Sequence, residues 1–106
     1  MEYQYHDERI KASCESDRWL ARNLGPSGQK NMDRRINEIE AATNIVELLE
    51  APTWHVLDGR DGGARRGRIA GKLTGRYRLI LSAPEGGVSG LVVTVEILDI
   101  EDYHKQ

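Results

Sequence analysis

Residues 67–81 read GRIAGKLTGRYRLIL. Ile69, Gly71 and Leu73 alternate with Arg68, Ala70 and Lys72; Tyr77, Leu79 and Leu81 alternate with Arg76, Arg78 and Ile80. A period of two is the pattern of a pleated strand with one face on a core. Thr74-Gly75 supplies a tight connection, so Gly67 to Leu73 and Arg76 to Leu81 read as an antiparallel hairpin. Two further strand candidates flank it, Trp54 to Leu57 before and Leu91 to Leu98 after, the latter reached by a longer link from Pro84 to Gly90. The last run, LVVTVEIL, is apolar on both faces over most of its length, which suits a central strand.

Upstream of Pro52 the period changes. Tyr3 and Tyr5 alternate in a short first strand, after which Ile10, Cys14, Leu20 and Leu24 recur at helical spacing with Trp19 beside the stripe. Gly25 can close that helix, and Pro26 can open the next, where a missing amide costs nothing. Met32, Ile36 and Ile39 form the apolar stripe of the second helix, with Lys30, Asp33, Arg34, Arg35 and Glu38 expected largely on the wet side. Asn44 and Glu47 make a capping-box variant that opens a short third helix, and Pro52 ends it. Strand, helices and then a run of strands predict a single α+β domain over residues 1–106: a small, mostly antiparallel sheet packed against an N-terminal helical hairpin.

The 106 residues hold 15 Lys+Arg and 17 Asp+Glu, a formal net charge of −2. As a total, that balance speaks against a polybasic nucleic-acid binder. The distribution says otherwise. Residues 1–50 carry −3, residues 51–84 carry +5 and residues 85–106 carry −4, so the strands hold the positive charge. Arg66, Arg68 and Lys72 share one face of a regular strand, and Arg76 and Arg78 share one face of the next. A three-residue loop would bring the two sets together and a two-residue loop would part them. Such a face is either merely solvated or a phosphate-binding surface; six of the seven basic residues in this block are arginine, whose planar fork matches phosphate bidentately.

The single cysteine, Cys14, allows no internal disulfide and no cysteine-based zinc site, which makes a reducing compartment the default. No run approaches a membrane span and the polar opening MEYQYHDERI is no signal segment, so a cytoplasmic location without membrane contact is expected. Phosphate-loop, dinucleotide and zinc-protease motifs are absent, and the glycine-rich stretch from Gly59 to Gly67 reads as a loop.

The sequence ends Asp99-Ile100-Glu101-Asp102-Tyr103-His104-Lys105-Gln106. Together with Trp54-His55, Leu57-Asp58-Gly59-Arg60, Gly67 opening a strand, Tyr77-Arg78-Leu79-Ile80 and Val95-Glu96-Ile97, that ending resembles the RelE/ParE superfamily of bacterial toxin–antitoxin toxins, and within it the HigB-like killer group. The likeness runs over essentially the whole chain and rests on the order and spacing of short motifs. It implies a RelE-like fold and an endoribonuclease that cuts mRNA, commonly on the ribosome, thereby inhibiting translation. It also implies silencing by a cognate antitoxin, a helix-turn-helix protein, in a toxin–antitoxin hetero-oligomer, with no cofactor. By position, Arg78 matches the arginine on the scissile phosphate, while Asp102, Tyr103 and His104 match the Asp-Tyr-His end and His55 the histidine before the Leu-x-Gly element. The lysine pair that RelE itself carries before Tyr-Arg-Leu is not reproduced; Arg68 and Lys72 are the nearest substitutes.

The chemistry is coherent on its own terms. Cleavage of RNA through its 2′-hydroxyl needs a base for that proton, an acid for the leaving 5′-oxygen and cations around the phosphorane. His104 and His55 suit the acid and base, in either order, because histidine titrates near neutrality. Tyr103 can stack on a base or donate a proton, Asp102 can orient a histidine, and Arg78 can stabilise the developing charge; Arg66, Arg68, Lys72 and Arg76 can hold phosphates. No metal is called for. Plain structural readings stand beside these: His55 as an ordinary strand histidine, Tyr103 as an edge aromatic, His104 as a solvated terminal residue. Two other functions also fit the scaffold, a ParE-like gyrase poison and a catalytically weak or inactive module that only binds an antitoxin.

Overall fold

The computed structural model describes residues 1–57, 67–83 and 92–103. Arg66 and His104, the stretch read as a glycine-rich loop up to residue 66, and the link at 84–90 with Leu91 lie outside the described residues. The elements in chain order are β1 (Glu2–Tyr5), α1 (Glu8–Glu15), α2 (Asp17–Ala41), α3 (Ile45–Leu48), β2 (Trp54–Val56), β3 (Ile69–Lys72), β4 (Tyr77–Ser82) and β5 (Thr94–Asp102). The strands form one mixed sheet in the order β1-β5-β4-β3-β2. Three of its pairings are antiparallel, and β1 runs parallel to β5. The fold is therefore α+β, with β5 an interior strand and not an edge, as its two-sided hydrophobicity predicts, although it runs Thr94–Asp102 and not Leu91 to Leu98.

The first helix is shorter than its apolar stripe suggests. Ser16 closes α1 with its backbone N–H on Ser13 O and opens α2 with its hydroxyl on the Trp19 N–H. An amide and a side chain working in opposite directions let one residue break the helix without breaking the stripe, since Ile10 and Cys14 before it and Leu20 and Leu24 after it are all buried. The expected break at Gly25-Pro26 is present as a kink within α2, where Gly25 takes φ 81° and ψ 173°. That region belongs essentially to glycine and is not the left-handed cap expected from the sequence. The kink brings Leu24 onto Gly28 so closely that a Cβ on Gly28 would meet Leu24 Cβ at 2.3 Å. The predicted junction between two helices at Gly25-Pro26 is thus present, and the first of the two is itself broken at Ser16.

Helix α3 opens as its capping box requires, with Asn44 Oδ1 accepting the Glu47 N–H at 3.0 Å. The helices cover one face of the sheet. Met32 and Ile39 of α2 meet Ile69, Leu79, Leu81, Val95 and Ile97 there in a single core. Gly71 leaves space on that face for the Trp54 ring, which its own Cβ would strike at 2.5 Å.

Arg35 does not lie on the wet side. It is 7% exposed and belongs to a polar seam between α2 and the hairpin. Its Nη1 donates to Lys72 O at 2.9 Å and its Nε lies 2.8 Å from Glu38 Oε1, which also accepts the Trp54 Nε1–H at 2.8 Å. One turn earlier, Asn31 Nδ2 donates to Leu73 O at 2.7 Å, and Gly28 packs near the Thr74 methyl. Residues 28, 31 and 35 share one helical face, so a single side of α2 clasps the backbone of the hairpin end.

Candidate phosphate-binding face

The register of the hairpin settles which cations meet. Lys72 pairs with Arg78 and Gly71 with Leu79. Leu73 N–H donates to Tyr77 O at 3.1 Å, which leaves Thr74-Gly75-Arg76 as a three-residue loop. Thr74 builds that loop: its Oγ1 accepts the N–H groups of Arg76 and Tyr77 at 3.1 and 3.0 Å. Threonine at the first position of a turn is the sequence signal for this arrangement.

With that register, Lys72 and Arg78 stand side by side on the face away from the helices. Arg68 has the same parity two pleats along the chain, and its carbonyl accepts the Leu57 N–H at 2.8 Å. His55 pairs with Ala70, so it occupies the row next to Lys72 on this face. Glu101 pairs with Arg78 across β4–β5. Tyr103, two residues on, brings its ring under the Arg78 guanidinium, with Cζ 5.0 Å from the ring centroid. Lys72 and His55 are exposed, while Arg68, Arg78 and Tyr103 are half-buried.

Arg78 is held as well as stacked. Its Nη1 donates to Thr74 O and, at 3.0 Å, to Tyr77 O. These bonds fix the guanidinium over the loop and fix the loop itself. Sequence parity pairs Arg76 with Arg78, yet its side chain goes elsewhere. Its Nε and Nη2 reach Asp102 Oδ2 at 2.8 and 2.7 Å, and its Cζ lies 5.5 Å from the Tyr77 ring centroid. Tyr77 and Asp102 pair with each other on the helix-facing parity. Loop geometry releases Arg76 from the strand alternation, and the Asp102 carboxylate draws it across. Hydrogen bonding to Asp102, then its charge, raises the pKa of Arg76 further above its ordinary value.

Of the sequence-predicted residues, the structure therefore gathers Arg68, Lys72, Arg78, His55 and Tyr103 on one face and joins Arg76 to Asp102 on the other. His6, given no role from sequence, places Nδ1 3.2 Å from Glu96 Oε1. Glu101 is the residue that sequence reasoning passed over: it brings a carboxylate into the row of cations, and its place opposite Arg78 follows only once the register is known. Among the described residues, no group of three His, Cys, Asp or Glu is placed to hold a metal ion.

No protein-family model matches the chain, and no curated protein matches it. Among the described residues no helix is long and apolar enough to cross a membrane.

Proposed function

We propose that the chain is a RelE/ParE-superfamily toxin of the HigB-like group, with a RelE-like sheet and endoribonuclease activity on mRNA presented by the ribosome. The observation that carries this reading is the Lys72–Arg78 pair beside the Arg78–Tyr103 stack. Two cations on adjacent strands match the spread charge of a phosphodiester, and an aromatic ring next to them offers a platform for the adjoining base. In the proposed reaction a base takes the 2′-hydroxyl proton, the 2′-oxygen attacks phosphorus and the P–O5′ bond breaks. An acid then returns a proton to the 5′-oxygen, leaving a 2′,3′-cyclic phosphate. His55 and His104 supply base and acid, Arg78 stabilises the phosphorane, and Lys72 and Arg68 hold flanking phosphates. No metal or cofactor takes part. A cognate helix-turn-helix antitoxin silences the activity in the cytoplasm.

Expression without a partner should arrest growth and fragment transcripts, and Arg78→Ala should relieve both. Arrested cells with intact mRNA would overturn the nuclease reading; DNA breaks in those cells would point to a ParE-like gyrase poison. The Nη1 bonds of Arg78 to the Thr74 and Tyr77 carbonyls favour a second reading, an antitoxin-binding module in which this arginine serves the loop. Absence of toxicity in a well-folded protein supports that reading.

A further inference from the structure

On the opposite side of the sheet, a cavity of about 460 Å³ opens between β1 and the helices. Its floor is Tyr3, Tyr5, Met32 and Ile36, with the two tyrosine rings edge to face at 5.9 Å. Its rim carries Glu15 from the end of α1, Asp17 from the start of α2 and Asp33 from beyond the kink. No Lys or Arg is among the described residues that line it. Burial raises the pKa of both phenols; Glu40 and then Glu15 add to it at Tyr3, while at Tyr5 Cys14 and Tyr3 add before Glu15.

An aromatic and aliphatic floor under a ring of carboxylates suits an organic cation with an apolar stem, since the stem buries while the head reaches the rim. The three carboxylates come from three separate points of the helical layer, more than one cation requires. We infer that this groove docks a segment of a partner protein carrying at least two Lys or Arg side chains between apolar ones. The surface is independent of the nuclease reading, because neither its floor nor its rim contains a residue of the basic face.

The test is titration of the full chain with acetyl-leucyl-lysyl-leucyl-arginyl-leucinamide, followed by NMR shifts of Tyr3, Tyr5, Met32 and Ile36. Saturable shifts at these residues are expected, weakened about five-fold by the double substitution Glu15→Gln/Asp33→Asn, which exchanges exposed charges and leaves the core intact. The same peptide with glutamates in place of its cations should give none. Three results would overturn the proposal: no saturable shift, binding unchanged by the double substitution, or n-butylammonium and agmatine binding as tightly as the peptide.

Discussion

The Trp54 ring lies directly over the α-carbon of Gly71, its cross-strand partner, so that a Cβ there would fall 2.5–2.7 Å from three ring atoms. The indole is 2% exposed and its N–H is engaged by Glu38, so it cannot tilt away without losing that bond. Gly71→Ala should therefore destabilise the protein by about 2 kcal/mol and lower Tm by roughly 10 °C. Gly75→Ala is the control: nothing lies within 4 Å of its Cβ position, and Tm should scarcely move.

Gly25→Ala should cost about 1–3 kcal/mol for a different reason, backbone conformation, because a Cβ there meets nothing within 4 Å. Urea denaturation separates the two mechanisms when Trp54→Leu is added. The smaller side chain should rescue Gly71→Ala and leave Gly25→Ala unimproved.

Arg35→Ala should cost about 2–3 kcal/mol, since it strips the Lys72 carbonyl of a donor and leaves Glu38 without its cation. A double-mutant cycle with Glu38→Gln should show strong coupling. A cycle with the exposed Arg34 in place of Arg35 should show almost none.

Cys14 is buried, which pushes its thiol from 9.0 up to about 12, and burial also raises Tyr5 and Tyr3 from 10.0. An unfolded chain loses these protons first as pH rises. Stability should be full below about pH 9 and fall steadily from there toward pH 12. Cys14→Ala should lower the neutral plateau and flatten the first part of that decline, as read from urea midpoints between pH 7 and 11.

Arg78 and Arg76 should separate in RNA binding. On the proposed function, Arg78→Ala and Lys72→Ala should each reduce the salt slope for a single-stranded RNA by roughly 0.7. Arg76→Ala, whose guanidinium already serves Asp102, should leave the slope nearly unchanged. Equal losses at positions 76 and 78 would remove the basis for assigning phosphate contact to one face.

The alternation of 67–81 made the hairpin legible, and the two-sided hydrophobicity of 91–98 made β5 legible as central, because both are periodic signals read within one segment. What escaped were relationships between segments. Arg35 follows Arg34 in a charged run, and nothing local distinguishes the one that meets a carbonyl of a distant strand. Ser16 sits inside an unbroken apolar stripe, so the stripe outweighed a capping residue that was in plain view. At the candidate site, parity placed Lys72 and Arg78 correctly once the loop length was fixed, but it could not hold for Arg76, which lies in the loop and follows a carboxylate.

The placement of β5 sets an order of events. It lies between β1 and β4, and residues 2–5 pair with residues 94–97. Chain made at ~5–20 residues per second holds its first strand unpaired until residues 94–97 have followed it. The β2–β3–β4 hairpins can form early from neighbouring sequence, whereas pairing β1 with β5 joins distant segments and is intrinsically slow. Until then the face carrying Tyr3 and Tyr5 is exposed to whatever else is present. Completion of the sheet thus waits on β5, the strand that joins the first element of the chain to its hairpins.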